Sequence, residues 1–377
     1  MMTRRQFMLA MAALASMPAL GMTKANTVDD NKNNWLMPDE ADQHKRTWMA
    51  FVADEEIWGE KLVSEVHRNL ATIANTIAKY EPVSMLVNED DYALAKSLVG
   101  PNVALVVAET DDLWMRDTGP VFVKNGKGKI AAVDFNFNGW GNKQVHDNDA
   151  EVAEFIAEQA DVDTLHTKLV LEGGGIEVDG NGTAIITESC VLNANRNPGL
   201  TKKQCEAELN KLLGIEKVIW LPGIKGKDIT DGHTDFYARF ASPGVVVAGL
   251  ETDPDIYDHA VTLKHLAILR AATDAKGRKL KVVVIEGPSK IRPRFESDDF
   301  AAGYINFYVC NGAVIAPEFG DAKADATAKE KLKALFPTRE IVQINIDGIA
   351  AGGGGIHCTT QQEPQPTRIP SQHEPKV

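Results

Sequence analysis

The sequence predicts an α/β chain in which a unit of hairpin, helix and strand recurs about five times and closes into a pseudo-symmetric ring. Three observations carry that expectation. Apolar runs are interrupted by Asn-Gly, Asp-Gly or Ser-Pro-Gly turns, longer stretches repeat apolar residues at three- and four-residue spacing, and the two patterns alternate at intervals of several tens of residues.

In chain order, residues 61–80 carry the first helical pattern, and a hairpin follows over 116–135 around Lys124-Asn125-Gly126-Lys127-Gly128. A helix over 149–160 leads to a hairpin over 171–187, turned at Asp179-Gly180-Asn181-Gly182. The helix over 201–213 begins at Thr201, a residue type suited to capping free backbone N–H groups, and the next hairpin spans 233–250 around Ser242-Pro243-Gly244. Helices over 255–272 and 325–336, each opening on Asp, flank a hairpin over 304–317 turned at Asn311-Gly312. The length alone would suit two ordinary domains, but the repeat favours one domain over 26–363. Residues 364–377, rich in Pro, Gln and Ser, read as a disordered polar tail.

Chemistry concentrates in three segments. Near the C-terminus, Gly352-Gly353-Gly354-Gly355-Ile356-His357-Cys358 presents a cysteine at the end of a glycine run, where close approach to the main chain is possible and free N–H groups can stabilise a thiolate. The plainer alternative is a Gly-rich turn before a buried cysteine. In Asp231-Gly232-His233-Thr234-Asp235, a turn is expected to feed a strand on which His233 and Asp235, two apart, share a face. Taken alone, His-x-Asp also occurs as surface polar residues or metal ligands. Asp117, in Trp114-Met115-Arg116-Asp117-Thr118-Gly119-Pro120, sits at a loop-to-strand junction. A thiol, an imidazole and several carboxylates suit attack on a cationic carbon, because carboxylates grip a guanidinium by charge-assisted hydrogen bonds. A cysteine peptidase acts on a neutral carbonyl, and carboxylates there would raise the thiol pKa without binding anything.

Those segments, with Asn136-Phe137-Asn138-Gly139-Trp140-Gly141 and Leu171-Glu172-Gly173-Gly174-Gly175, resemble the ordered motifs of agmatine deiminases, members of the guanidino-group-modifying superfamily. The resemblance spans residues 35 to 364 and implies the pentein fold, a five-bladed α/β propeller whose hairpin ends meet at the axis. It implies Cys358 as nucleophile, His233 as proton shuttle, Asp117 and Asp235 as the guanidinium grip, Glu172 as partner of His233, and Trp114 lining the slot. For Glu172 a turn carboxylate, and for Trp114 a core aromatic, are the plainer readings. No cofactor is implied, and a homodimer is expected from the resemblance alone.

Residues 1–25 lie outside the expected fold. Thr3-Arg4-Arg5-Gln6-Phe7-Met8 ahead of an apolar stretch to Leu20 has the form of a twin-arginine export signal, with cleavage expected after Ala25; an amphipathic helix with two chance arginines is the alternative. Export would put the mature chain in the periplasm or outside the cell, with no membrane span. Losing Arg4, Arg5 and Lys24 takes the net charge from −13 to −16, which disfavours nucleic acid and anionic membranes and mildly favours a small cationic guanidino substrate. Of the four cysteines, Cys310 reads as core, Cys190 and Cys205 could pair, and no Cys-x-x-Cys or His-x-x-x-His spacing suggests a structural zinc.

The substrate expected is agmatine, hydrolysed to N-carbamoylputrescine and ammonia through a covalent thiouronium on Cys358. No arginine follows Trp140 directly to clamp a substrate carboxylate, and Lys143 and Arg196 read as solvated charges. Some family members carry an acid four residues before the histidine. Here Ile229 stands there, leaving Asp228 and Asp231 as candidates for the distal amine. The start also departs, with Met37-Pro38-Asp39-Glu40-Ala41 in place of Met-Pro-Ala-Glu-Trp. Deimination of arginine or peptidyl-arginine, and non-catalytic binding of guanidino compounds in the periplasm, are the alternatives.

Overall fold

Four times along the chain an antiparallel hairpin is followed by a helix and a third strand parallel to the second. The structure, a computed structural model, describes residues 34–297 and 299–366. The chain starts with β1 (His44–Phe51), helix α1 (Glu60–Ile77), β2 (Val83–Val87), α2 (Tyr92–Leu98) and β3 (Val103–Val107). The first full unit is β4 (Val121–Lys124), β5 (Ile130–Asp134), α3 (Val152–Ala160) and β6 (Asp163–His166). Next come β7 (Ile176–Val178), β8 (Thr183–Thr187), α4 (Lys202–Leu213) and β9 (Lys217–Leu221), then β10 (Ala238–Ser242), β11 (Val245–Leu250), α5 (His259–Ala271) and β12 (Lys281–Glu286). The last unit is β13 (Tyr308–Cys310), β14 (Ala313–Glu318), α6 (Ala322–Leu335) and β15 (Glu340–Asn345).

The fifth sheet is made by the two ends of the fold. Strand β16 (Gln361–Pro364) pairs antiparallel with β1, which lies parallel to β2, giving the order β16-β1-β2-β3. The five small sheets are the blades of a pseudo-symmetric α/β propeller. Four hairpins and five helices fall where the sequence places them. The fifth hairpin has no local turn, because its strands lie at opposite ends of the chain. Pro364 and the adjoining Gln365, whose N–H donates to the Gln43 carbonyl at 2.8 Å, therefore belong to the fold and not to a tail. The expected export signal over 1–25 and the rest of the tail from 367 onward lie outside the described residues.

Burial follows from the parallel pairs. A strand covered by a helix and flanked on both sides needs apolar residues on both faces, and β2 and β8 are buried along their whole lengths. Helix α1 shows the complementary pattern, burying Val66, Leu70, Ile73 and Ile77 on one face. Helix α4 is held at its start by a capping box, with Thr201 and Gln204 exchanging side-chain-to-backbone hydrogen bonds. All four cysteines are free and buried, so Cys190 and Cys205 do not pair; Cys205 lies on the buried face of α4 and Cys310 in β13. Among the described residues no helix is long and apolar enough to cross a membrane.

Candidate active site

Each blade sends one segment to the axis, and it is the stretch just before the blade's first strand. Asp117 precedes β4, Glu172 precedes β7, His233 and Asp235 precede β10, Asn306 precedes β13, and Cys358 precedes β16. His233 and Asp235 are not on a strand as the spacing suggested. They flank and occupy a short turn of 3-10 helix, Thr234–Phe236, and β10 begins only at Ala238. The tight turn still brings both side chains inward.

Their meeting point is above Gly174. A Cβ built there would lie 2.6 Å from His233 Nδ1, 2.9 Å from Asp117 Oδ1 and 3.2 Å from Asp235 Oδ2. Asp117 is fixed by the Gly174 N–H, donating to Oδ1 at 3.0 Å, and by the Trp140 indole N–H, donating to Oδ2 at 2.9 Å. Asp235 has one oxygen occupied, its Oδ2 lying 2.8 Å from His357 Nδ1, while its Oδ1 is buried with no hydrogen-bond partner. An unpartnered buried carboxylate oxygen costs on the order of 1–3 kcal/mol or more, a cost that a cationic N–H donor would relieve.

Cys358 Sγ lies 3.5 Å from Asp235 Oδ2 and 3.3 Å from Asn306 Nδ2. Burial, with the charges of Asp235 and Asp117, pushes the thiol well above its ordinary value, although the Gly355 N–H and Asn306 pull the other way. The resting group is therefore a neutral thiol, not the thiolate that the glycine run suggested. Those glycines serve mainly close approach: a Cβ on Gly354 would lie 2.1 Å from the Trp114 ring and one on Gly355 2.4 Å from Asn306 Oδ1, while Gly353 is the member of the run in the left-handed region. Trp114, 8% exposed, packs on this loop and on Trp58 at 5.7 Å between ring centroids.

His233 points in two directions. Its Nδ1 faces the carboxylates, 3.7 Å from Asp117 Oδ2, and its Nε2 lies 3.3 Å from Glu172 Oε2. Burial alone would favour the neutral ring, but the Asp117 charge and hydrogen bonds to Cys190 and Glu172 hold its pKa well above the usual value. Glu172 is itself taken down to about 2 against the cost of burial, by the hydrogen bond from His233 and the adjacent Arg196, whose Nε donates to Oε1 at 2.8 Å. Asp117 is pushed up to about 6 by burial, with Glu172 and Asp235 adding to the effect.

Beneath the site runs a buried ionic floor. His357 Nε2 lies 2.7 Å from Glu40 Oε2, and Glu40 also contacts Arg239 at 2.9 Å and Arg116 at 3.3 Å. Arg239 in turn reaches Glu177 at 2.8 Å. The lattice of pairs compensates charges that could not be buried singly. It also carries position inward from Glu40 through His357 to Asp235.

Several sequence expectations change here. Arg196 is not a solvated charge, being 4% exposed between Glu172 and Asp231, whereas Lys143 is exposed as expected, its ammonium donating to Asp231 Oδ2 at 2.7 Å and to the Ile229 carbonyl at 2.8 Å. Asp231, fully engaged by Arg196, Lys143, Asn195 and the Gly226 N–H, is a structural anion and not a free partner for a substrate amine. Asp228 accepts from Thr230 and Gly232 through Oδ1 and stays half-buried at the rim beside Ile229, which is 39% exposed. Asn306, Glu40 and Arg239 were not singled out from sequence, and Trp140 and His357 only as parts of motifs. Asn306 had a signal, since it occupies in its blade the position that Asp117 and Glu172 occupy in theirs.

A family model described as Porphyromonas-type peptidyl-arginine deiminase matches residues 36–364. A Streptomyces coelicolor protein, provisionally named an agmatine deiminase, is 42% identical over 342 residues, covering 87% of this chain and 98% of its own. The agmatine deiminase of Stutzerimonas stutzeri is 37% identical over 363 residues, covering 90% of this chain and 98% of its own. Among solved structures, that of the agmatine deiminase of Enterococcus faecalis superposes with a TM-score of 0.82 at 34% identity, covering 88% of this chain and 96% of that one.

Proposed function

Because the chain belongs to the Porphyromonas-type peptidyl-arginine deiminase family, we propose that it hydrolyses the guanidino group of agmatine, releasing ammonia and N-carbamoylputrescine. The observation that carries this reading is the cage over Gly174, where Asp117, Asp235 and His233 converge beside Cys358 and Asp235 keeps one oxygen free. A planar cation with N–H groups on every edge meets the carboxylate oxygens of Asp117 and Asp235.

The same charges supply the chemistry. Asp117 and Asp235 hold the thiol protonated in the empty site; an incoming guanidinium neutralises them, and the thiol proton departs to solvent as the substrate seats. The Cys358 sulfur then bonds to the guanidinium carbon. His233, held protonated, gives its proton to one amino nitrogen, the C–N bond breaks, and ammonia leaves a thiouronium on Cys358. The now neutral imidazole takes a proton from water, whose oxygen attacks the same carbon; the C–S bond then breaks as the remaining hydroxyl proton passes to the departing sulfur, releasing the ureido product and restoring the thiol. Asn306, donating to the sulfur, steadies the thiolate at both stages.

Two features favour agmatine over substrates bearing a carboxylate. The cations of Arg196 and Lys143 are already spent on Glu172 and Asp231, so neither offers a clamp. Asp228 remains at the rim and is the candidate for the distal amine in place of Ile229. The test is ammonia and ureido release from agmatine, free arginine and a peptide ending in arginine, offered in parallel. Agmatine turnover that disappears in Cys358→Ala is the expected result, and turnover confined to the carboxylate-bearing substrates overturns the choice. Export through the Arg4-Arg5 signal and assembly as a homodimer belong to the same proposal, read by cell fractionation after Arg4→Lys/Arg5→Lys substitution and by sedimentation.

A further inference from the structure

Behind the reacting face of His233 lies Cys190, a potential ligand that the mechanism leaves unused. Cys190, buried in the one-turn helix Glu188–Val191, has its Sγ 3.3 Å from Glu172 Oε2, and His233 Nε2 is 3.3 Å from the same oxygen. The three ligand atoms lie within 4.8 Å of one another. Zinc binds thiolate at about 2.3 Å and imidazole or carboxylate at about 2.0–2.2 Å, so neighbouring corners of its tetrahedron stand roughly 3.3–3.6 Å apart. Both measured edges match one face of that tetrahedron. Thiolate, imidazole nitrogen and carboxylate together are a donor set for a borderline-soft cation, not for calcium or magnesium.

The outer supports of a metal centre are also present. Arg196 fixes the far oxygen of Glu172 at 2.8 Å, and Asp117 stands opposite the other ring nitrogen of His233 at 3.7 Å. Bound zinc sites carry such partners for both ligand types. Arg196 opposes the ion electrostatically, but Asp231 at 2.7 Å already offsets its charge.

We propose that Cys190, His233 and Glu172 form an inhibitory site for zinc or another thiophilic divalent cation. Binding displaces the Cys190 thiol proton and the His233 Nε2 proton, both to solvent. With metal on Nε2 and hydrogen on Nδ1, the imidazole keeps no lone pair, so it cannot take the proton of the hydrolytic water. Asp117 and Asp235, which hold the guanidinium, are untouched. The consequence for activity, though not the binding itself, rests on the reading above: zinc lowers kcat for agmatine and leaves KM nearly unchanged.

Two measurements test this. Cobalt(II), a spectroscopic stand-in for zinc, is titrated into the Cys358→Ala protein and into Cys190→Ser; the proposal requires a thiolate charge-transfer band in the first and its loss in the second. Zinc is then titrated during agmatine turnover, where Cys190→Ser, referred to its own zinc-free rate, should need about tenfold or more zinc for the same fractional inhibition, and EDTA should restore the native enzyme. A band that needs Cys358, no band at all, or equal zinc sensitivity in Cys190→Ser overturns the proposal. The cobalt titration reads binding without substrate, so its outcome stands apart from whether agmatine is the substrate.

Discussion

Gly174 is bare because the position of its missing side chain is shared by three functional groups. Gly174→Ala would set a methyl 2.6 Å from His233 Nδ1 and push apart the carboxylates on either side. We expect a fall in kcat/KM of about a hundredfold or more, since misplacement by about 1 Å costs that much, with little change in thermal stability; unchanged kinetics would remove the cage from the mechanism. The titration of Cys358 gives a second prediction. Its pKa is pushed above the ordinary 9.0 by burial and by Asp235 and Asp117, so in the free enzyme the reactive thiolate forms only as pH rises past that value. The acid limb of kcat/KM is therefore displaced upward. In the complex the guanidinium cancels those charges, so the acid limb of kcat lies at lower pH. Coincident limbs in the two profiles would show that the substrate does not activate the thiol.

At the scale of elements, the helix starts and hairpin turns are set by short local signals, and these were the legible part of the fold. Thr201 and Gln204 illustrate it: two side chains three apart satisfy two orphan backbone donors and fix where α4 begins. Thr201→Ala is expected to cost about 1 kcal/mol of stability, seen as a lower unfolding midpoint with activity intact. Loss of turnover at permissive temperature would contradict that separation. Legibility fails where pairing is long-range. No turn joins β16 to β1, and β2 and β3 are short apolar runs that spacing alone cannot distinguish from a piece of helix. The same limit hid Asn306, whose partner Cys358 is far along the chain, and the ionic floor, whose members Glu40, Glu177, Arg239 and His357 come from separate segments. Asp117, His233, Asp235 and Cys358 were legible because each sits in a compact motif with its own glycine or proline neighbours, whereas Glu172 stood out only through the family resemblance.

At the scale of the whole molecule, closure of the ring and completion of the site are one event. Strand β16 follows Cys358 within three residues and is bound to β1 through Trp48↔Gln361 and its neighbours. Glu363 accepts from the Trp48 indole at 3.0 Å and pairs with Lys45 at 2.6 Å, while Arg116 donates to Gln361 and Gln362 at 2.8 Å each. A chain ending at residue 360 is expected to lose both cooperative unfolding and turnover, whereas one ending at 366 keeps them; full activity from the shorter chain would show that the last strand does not hold Cys358.

That closure also sets the order of events at the ribosome. The carboxylates and the imidazole emerge well before the sulfur they serve, and the strand that anchors the sulfur follows every other strand of the fold. Pairing of the first strand with the last is the slowest kind of contact to make, because the whole intervening chain must be organised first. A nascent chain therefore carries no competent nucleophile until the last strand of the fold has emerged, and turnover reports that every blade is in place.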